Sequence, residues 1–251
     1  MLDYLVLVLA AFLAGILNTV AGGGTFLTFP ALVYAGIPPV AANATSAVAV
    51  FPGYLGGAAG FHRELRSLGK GPLLKVTAVT AIGGLTGSLL LLMSSNDAFS
   101  AIVPFLLLAA TLVFAFGEGI QGWARNSRLG VQPNGSIGAL LVSIYGGYFN
   151  GGLGIVLLAL FSLWGMKDIN AMNGLKNGLS FVLSAISVAT FALAGIVAWP
   201  QALAMMLAAI VGGYLGAPIA RALPARLVRG IVIGVGAAMS AIFFVRFISN
   251  A

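Results

Sequence analysis

The sequence predicts an all-α polytopic membrane protein, and three observations lead to that fold class: the composition, the positions of the charged residues and an internal duplication. Of the 251 residues, 60% are hydrophobic and only 7% are charged, and the mean hydropathy is +1.09. A soluble domain carries about 25% charged residues, so most of this surface is suited to lipid. The apolar runs are long and continuous, which favours helices over strands.

Eight apolar segments follow one another, and each is long enough for the roughly 20 residues that a helical span needs. The first segment lacks a basic leader and a clear cleavage site, so we interpret it as a retained span rather than a signal peptide. We therefore expect a single transmembrane domain over residues 1–251. The segments run over residues 2–35, 40–62, 71–94, 98–120, 136–165, 170–198, 201–220 and 228–249.

The first and fifth segments are interrupted by glycines. Residues 18–30 read NTVAGGGTFLTFP, and the fifth segment contains Asn150-Gly-Gly-Leu-Gly154. Each glycine weakens a helix interior by about 1 kcal/mol relative to alanine, so we predict that the chain turns inside the membrane at both places. A new helix is expected to begin at Thr25, where unpaired amides and the positive end of the helix dipole favour an anion.

The glycines also recur along the chain at a nearly constant spacing. Three sets match in the same order, 129 or 132 residues apart, which predicts two homologous halves. We expect repeat 1 to cover residues 1–125 and repeat 2 to cover residues 131–251. Glycine-interrupted segments in corresponding positions of two halves point to the binding site of a transporter. The matched sets are Gly15 and Gly22 with Gly147 and Gly154, Gly36 with Gly165, and Gly83, Gly84 and Gly87 with Gly212, Gly213 and Gly216.

The basic residues indicate the orientation in the membrane. If each broken segment enters and leaves on one side, all the basic loops face the cytoplasm, as the positive-inside rule requires, while Asp3 and Asp97 face outward. Each half then has one re-entrant hairpin and three crossings, so the two halves are inverted. Non-helical backbone at membrane depth must be buried by protein or line a cavity. The cytoplasmic basic residues are then Arg63, Arg66, Lys70, Arg125, Arg128, Lys167, Arg221, Arg226 and Arg229.

Several other functions are disfavoured by the residues present. The formal net charge of +7 reports membrane orientation rather than nucleic-acid binding. One histidine, no cysteine and scattered carboxylates exclude disulfides and offer no spacing typical of a metal site. No nucleophile is patterned with a base, and AGGGT lacks the Gly-Lys-Ser/Thr of a phosphate-binding loop. We therefore expect neither an enzyme nor a cofactor, and partners limited to a small anionic substrate and the lipid bilayer.

Polar residues inside the apolar segments concentrate at equivalent places in the two halves, and we predict that they bind the substrate. The plainer interpretation is that the glycines allow close helix packing and that Asn and Thr cap helix ends. No catalytic residue and no metal ligand is predicted. The predicted substrate-binding residues are Asn18, Gly22, Gly23, Gly24, Thr25, Asn43, Thr45, Ser46, Asn150, Gly152, Gly154, Asn173, Lys176 and Asn177.

Lys176 is the most distinctive of these residues, because a charge inside an apolar segment is costly and usually functional. The residues one helical turn away on either side, Asn173 and Ser180 among them, are not carboxylates. A cation without a local counter-ion is the expected partner of an anionic substrate. The alternative is that Lys176 lies near the cytoplasmic edge and snorkels to the lipid headgroups.

Several stretches of the chain together resemble the sulfite exporter TauE/SafE family. The resemblance is carried by Gly22-Gly23-Gly24, Pro30-Ala-Leu, Gly36-Ile-Pro-Pro, Ala44-Thr45-Ser46 and, in the second half, Asn173-Gly-Leu-Lys176-Asn177. Many members have a second glycine triplet and a second Thr-Ser, where this chain has Asn150-Gly-Gly-Leu-Gly154 and Lys176-Asn177. The resemblance covers essentially the whole chain and implies an inner-membrane transporter that exports small anions such as sulfite or organosulfonates.

The sequence thus predicts a secondary transporter that exports sulfite or another small sulfur-containing anion across the bacterial inner membrane by alternating access. Three alternatives stay open: transport of small carboxylates, an anion channel without alternating access, and a membrane scaffold. The coupling ion, the direction of transport and the oligomeric state are open as well.

Overall fold

The computed structural model describes residues 2–20, 23–60, 69–126, 135–222 and 225–249. Within these ranges the protein has ten α-helices and no strand, so the all-α expectation is confirmed there. The two glycine-broken segments each supply two helices, and each of the other predicted segments supplies one. The helices are α1 (Leu2–Val20), α2 (Thr25–Tyr34), α3 (Pro39–Gly60), α4 (Lys70–Met93), α5 (Asn96–Asn126), α6 (Ser136–Tyr148), α7 (Leu153–Leu163), α8 (Ile169–Leu193), α9 (Trp199–Ala222) and α10 (Ala225–Ser249).

Both predicted helix breaks are present. α2 begins at Thr25, the residue expected from the glycine triplet, although Gly22 itself lies outside the described residues. The second break separates α6 from α7, which begins at Leu153. Asn150 and Gly152 in this break have positive φ angles of 63° and 70°. The chain therefore turns through the left-handed region, which asparagine tolerates better than most residues and glycine adopts freely.

The two short helices α2 and α7 end in the same way. Gly36 and Gly165 follow them with φ angles of 83° and 80°. Gly36 N donates to Val33 O at 3.1 Å, and Gly165 N donates to Ser162 O at 3.0 Å. This is the helix ending in which a left-handed residue satisfies the last carbonyls. One matched glycine pair thus has the same local role in both halves of the chain.

The helices pack in pairs that correspond between the two halves. α1 packs along α9, and α6 packs along α4. α3 packs on α8, and α5 packs on α10. α4 also contacts α8, as α9 contacts α3. The contacts therefore match when α1 is compared with α6, α3 with α8, α4 with α9 and α5 with α10.

Glycines allow α1 to cross α9, and α6 to cross α4, with the backbones in contact. A methyl group added at Gly15 would collide with the backbone of Ala209 and Gly213, and one added at Gly147 would collide with the backbone of Gly84. Four of these five residues belong to the matched glycine sets. Close packing, the plainer interpretation of the glycines, therefore holds at both crossings.

The contacts also show the directions of two helix pairs. Gly83 of α4 faces Ser143 of α6, and Gly87 faces the Tyr148 backbone, so α4 and α6 run the same way.

α3 and α8 run in opposite directions. The rings of Phe51 and Phe181 stack with centroids 5.1 Å apart and an interplanar angle of 15°. Nearer the start of α3, Thr45 Oγ1 accepts a hydrogen bond from Ala198 N at 3.0 Å, just beyond the end of α8. Moving toward the start of α3 therefore leads toward the end of α8.

A buried aromatic cluster joins α2 to the second break and to α5 and α10. Phe29 of α2 lies edge-on to Phe99 and to Phe149, with ring centroids 6.1 and 5.8 Å apart. It stacks on Phe243 of α10 at 5.7 Å. Phe29, Phe99 and Phe149 are fully buried. This core holds a half-helix of one half of the chain against the break of the other.

The outer surface of the bundle is apolar. Among the described residues, the helices over Gly71–Met93 and Asn170–Leu193 are long and apolar enough to cross a membrane by length and composition, and shorter apolar helices accompany them. Large side chains point outward; Leu74 is 72% exposed and Tyr214 is 81% exposed. Extensive exposed apolar surface marks contact with lipid or with a partner protein.

Candidate functional site

At the first break, the Asn18 side chain caps the start of α2. Asn18 Oδ1 accepts a hydrogen bond from Gly24 N at 2.8 Å. A methyl group added at Gly24 would lie 2.6 Å from Asn18 Nδ2, so a side chain there would displace the Asn18 carboxamide. Gly23 is buried, and its carbonyl accepts a hydrogen bond from Phe26 N at 3.1 Å. The predicted site residues Asn18 and Gly24 therefore contact each other directly, and this contact links the last turn of α1 to the start of α2.

One turn further along α2, a hydroxyl pair joins this half-helix to α3. Thr28 Oγ1 and Ser46 Oγ lie 2.6 Å apart, and Thr28 Oγ1 also donates to Gly24 O at 3.2 Å. Thr25, the first residue of α2, is 4% exposed. Thr28 is an addition to the predicted set, and its position one helical turn after Gly24 is the signal that points to it.

The second break is a buried turn of asparagine and glycine. Asn150 is 6% exposed. The Tyr145 hydroxyl donates to Gly151 O across the turn. A methyl group added at Gly152 would lie 3.1 Å from Ala110 Cβ of α5, and Gly154 is buried in the first turn of α7. Three predicted site residues therefore lie together here, and little space separates the turn from α5.

α3 supplies two side chains to the second break. Asn43 Nδ2 donates to Tyr148 O at 2.8 Å. Further along α3, the Asn150 side chain hydrogen-bonds the Tyr54 hydroxyl oxygen through Nδ2. Asn43 Oδ1 and Asn150 Oδ1 are buried and have no hydrogen-bond partner among the described residues. The predicted residues Asn43 and Asn150 thus border the same break, each with a carboxamide oxygen to spare.

The Thr45 side chain is engaged in packing. Its hydroxyl donates to Ala41 O at 2.6 Å and accepts from Ala198 N at 3.0 Å. Thr45 is fully buried. The hydroxyl therefore ties α3 to the start of α9, and both its donor and one acceptor position are occupied.

Lys176 and its neighbours lie at the other end of the α3–α8 pair. Lys176 Nζ donates to Asn173 Oδ1 at 3.1 Å, and the side chains of Asn173, Lys176 and Asn177 are half-buried. Because α3 and α8 are antiparallel and cross at the Phe51–Phe181 stack, Lys176 lies on the opposite side of that stack from Ser46. Each is five residues from the crossing, which separates them by about 15 Å along the helix axes.

Three buried serines on α8 have no counterpart in the predicted set. Ser180, Ser184 and Ser187 are at most 3% exposed, and their hydroxyls have no hydrogen-bond partner in the described part of the chain. A serine inside a helix commonly donates to the carbonyl one turn earlier, as Ser162 does to Leu158 O at 2.9 Å. The three α8 hydroxyls are therefore available to a ligand or to water.

These serines continue a line of polar side chains that includes Lys176. Residues spaced three and four apart share one face of a helix. We call this line the α8 polar strip, and it extends over about 21 Å of the helix. The strip consists of Asn173, Lys176, Ser180, Ser184 and Ser187.

α2 and α7 each have about half the length that a helix needs to cross a membrane. α2 and α7 have 10 and 11 residues, so each is about 15 Å long. The hydrocarbon core of a bilayer is about 30 Å thick. A half-helix with one end at a membrane surface therefore has its other end, which is the break, near the midplane.

The chemistry of this region is that of binding rather than of catalysis. Helix N-termini, hydroxyls and an ammonium group can hold an anion. Neutral carboxamide and backbone oxygens can hold a cation. In the described residues, no group of three or more His, Cys, Asp or Glu side chains could hold a metal ion.

Apolar helices that include two broken segments, with polar groups at the breaks, are the arrangement of a multi-pass membrane transporter. The chain matches the family described as "Sulfite exporter TauE/SafE" over residues 7–243. It therefore belongs to that family, whose members are transporters and not enzymes.

Similar proteins cover nearly the whole chain. A "Probable membrane transporter protein" of Haemophilus influenzae is 29% identical over 229 residues, which is 91% of this chain and 89% of that protein. The "Probable membrane transporter protein ORF9" of a Sinorhizobium species is 28% identical, over 93% and 89% of the two chains. The "Probable membrane transporter protein YfcA" of Escherichia coli K12 is 30% identical, over 94% and 87%. No solved structure matches the chain.

Proposed function

We propose that the protein is a secondary transporter that exports sulfite or another small sulfur-containing anion, such as an organosulfonate, across the bacterial inner membrane by alternating access. The observation that carries the proposal is that both half-helices begin in buried surroundings beside polar side chains. Thr25 and Leu153, which start α2 and α7, are 4% and 1% exposed. The positive end of each helix dipole then acts in a medium of low dielectric constant, where it favours an anion most.

The helix directions support two inverted repeats, with a re-entrant hairpin in the second. Val40 N donates to Asn96 Oδ1 at 3.1 Å, so α3 and α5 start on the same side of the bundle, the Asn96 side. α8 is antiparallel to α3 and starts on the opposite side, just after Lys167. α6 runs with α4 toward the Asn96 side, and α7 must return from there to reach α8. α6 and α7 therefore form a hairpin.

The first half supports the same architecture. α2 ends beside the start of α3, on the Asn96 side, and α1 packs on α9 as α6 packs on α4. By this correspondence, α1 enters the membrane from the Asn96 side and α2 returns to that side. The two hairpins then open on opposite sides, and the repeats over residues 1–125 and 131–251 are related by a two-fold axis in the membrane plane.

In this proposal the anion is bound between the two breaks and the α8 polar strip. The residues that we propose to contact it are those predicted from the sequence except Thr45, whose hydroxyl donor is already used, together with Ser180 and Ser184. Lys176 attracts the anion at one end of the strip. Because Lys176 and Ser46 are separated by about 15 Å along the helix axes, the two side chains act at successive positions of the anion rather than at once.

The first test is a ligand screen on the purified protein in detergent. Thermal unfolding is measured with sulfite, sulfate, thiosulfate, taurine, sulfoacetate and acetate at equal ionic strength. A ligand present at 100 times its Kd stabilises the folded state by about 2.7 kcal/mol. We expect sulfite or an organosulfonate to raise the unfolding temperature and acetate to leave it unchanged. Stabilisation by acetate alone would instead indicate a carboxylate transporter.

The second test separates transport from channel activity. Proteoliposomes are loaded with the stabilising anion, and its efflux is measured against the same anion outside. Alternating access predicts efflux that saturates with concentration and is accelerated by exchange with external anion. A channel predicts flux that does not saturate in this way, and the scaffold hypothesis predicts none.

A further inference from the structure

We propose that the second break holds a monovalent alkali cation, bound by neutral oxygens at the C-terminal end of α6. The site consists of the carboxamide oxygens of Asn43 and Asn150 and the backbone carbonyl of Tyr148. This inference goes beyond the anion function proposed above, because the cation would bind whether or not an anion is present.

The two carboxamide oxygens carry the proposal. Asn43 and Asn150 are 3% and 6% exposed, and neither Oδ1 atom has a hydrogen-bond partner among the described residues. A buried oxygen without a partner is costly, so such groups in folded proteins are usually matched by a ligand, an ion or a water molecule.

The orientation of the Asn43 carboxamide is determined by its other end. Asn43 Nδ2 donates to Tyr148 O at 2.8 Å. Rotating the amide by a half turn would set its oxygen against Tyr148 O, so Nδ2 faces that carbonyl and Oδ1 points away from it. At Asn150, the left-handed backbone conformation and the hydrogen bond with Tyr54 hold the second carboxamide beside the same break.

The electrostatics of this position favour a cation. α6 ends at Tyr148, and the last carbonyls of a helix carry the negative end of its dipole. Broken membrane helices use such carbonyls to coordinate alkali ions. The three proposed ligand atoms at this break are all oxygens, which excludes the soft metals that prefer nitrogen or sulfur. Ca²⁺ and Mg²⁺ sites use carboxylates. None of these three oxygens belongs to a carboxylate, so the neutral site suits a monovalent ion.

Cation and anion would then bind on opposite sides of one short turn. α6 ends at Tyr148 and α7 begins at Leu153. The positive charge of the cation attracts an anion at the start of α7, and each ligand must raise the affinity for the other by the same factor. This coupling rests on the proposed function, but cation binding itself does not.

The experiment measures Na⁺ binding to the purified protein without any candidate substrate. Thermal unfolding is compared in sodium, potassium and choline chloride at equal ionic strength, and retention of radioactive sodium on immobilised protein is measured directly. Asn150→Gly removes the carboxamide and keeps a residue that adopts a positive φ without strain. Asn170→Gly, at an exposed asparagine in the first turn of α8, is the matched control.

We expect Na⁺ or K⁺ to stabilise the wild-type protein more than choline does. Mutating a residue that hydrogen-bonds to a metal ligand typically lowers metal affinity by about 10–100-fold. The loss of a direct ligand in Asn150→Gly should therefore weaken Na⁺ binding by at least roughly tenfold. Asn170→Gly should bind as the wild type does. Asn150→Asp keeps the shape and adds a charge, and it should bind Na⁺ more tightly.

Two results would overturn the proposal. Equal unfolding temperatures in choline, sodium and potassium, with no retained sodium, would show that water or nothing fills the site. Sodium binding that survives unchanged in Asn150→Gly would place the ion elsewhere. A protein that binds Na⁺ but neither binds nor moves any anion would refute the proposed function and leave the cation site standing.

Discussion

At the residue scale, the polar groups inside the bundle divide into those paired within the fold and those left unpaired. Thr45 has a hydrogen-bond partner in the segment before α9, and Ser46 has one in α2. The oxygens of Asn43 and Asn150 and the three serines of the α8 polar strip have none among the described residues. An unpaired buried group costs about 1–3 kcal/mol, so the second set is where a ligand or water supplies the missing partner.

Lys176 provides the first prediction at this scale. Lys176→Met keeps the bulk and removes the charge, so we expect a folded protein whose anion affinity falls by roughly tenfold or more, as for a hydrogen bond to a charged group worth about 1.5–3 kcal/mol. Lys176→Arg keeps the charge but presents a planar fork, so its affinity should be intermediate. Ligand affinity in detergent for the three side chains is the measurement.

The snorkelling alternative gives a different pattern for the same variants. Under it, arginine behaves like lysine, and methionine lowers expression or disturbs orientation without changing affinity. A methionine variant that binds the anion as tightly as the wild type would show that Lys176 is an anchor at the membrane edge. The same measurement on Asn170→Ala, at an exposed residue of α8 outside the predicted site, serves as the control for local disturbance.

Some site residues could be predicted from the sequence because their signal is local. Asn18, Gly24 and Asn150 lie in glycine breaks that no continuous helix would contain. The unpaired state of Ser180 is a tertiary property, since a serine in an apolar helix usually bonds to its own backbone. The repeat spacing makes Lys176 the counterpart of Ser46 in the other half, but it does not show that the two residues lie close together. The antiparallel packing of α3 and α8 separates them.

At the element scale, the repeated glycines serve two distinct purposes. Gly36 and Gly165 end helices with positive φ angles. Gly15 and Gly147 instead allow helices to cross with their backbones in contact. The repeat pattern was visible in the sequence, whereas the role of each glycine, ending a helix or allowing a close crossing, depends on which helices meet.

The crossing of α6 and α4 gives the second prediction. An added methyl at Gly147 meets the backbone of Gly84, which cannot move aside as a side chain can. Gly147→Ala should therefore force the helices apart and destabilise the protein by about 1–3 kcal/mol. Thermal unfolding in detergent measures this loss.

Gly53→Ala is the matched control for that variant. Gly53 lies inside α3, is exposed, and has no atom within 4 Å of an added methyl. Alanine is the better helix former by about 1 kcal/mol, so this variant should be unchanged or slightly more stable. Equal stability of Gly147→Ala and Gly53→Ala would contradict the backbone contact.

At the scale of the whole molecule, composition and charge were enough to predict a helical bundle with two broken segments. Both breaks and the start of α2 at Thr25 are confirmed. Which helices pack together could not be predicted from the sequence, because glycines such as Gly15 and Gly213 indicate a close helix crossing but not which helix packs there. The two inverted repeats stay a proposal that the helix directions support.

The orientation of the molecule is the third prediction. The protein has no cysteine, so single cysteines can be introduced without background. Asn96→Cys should react with a membrane-impermeant maleimide from the periplasmic side of intact cells, and Lys167→Cys should react only after the membrane is opened, as the positive-inside rule requires. Both positions are exposed in the structure. The reverse labelling would invert the topology.

The stack of Phe51 on Phe181 joins positions that are 130 residues apart, within the spacing of the matched glycines. In the proposed repeats, this contact joins a residue of one half to its counterpart in the other. Such self-complementary contacts define the axis of a two-fold symmetric dimer, where one patch of surface recognises itself. A half-length ancestor carrying this phenylalanine could have paired with a second copy of itself, and duplication and fusion of its gene would have preserved that contact inside a single chain.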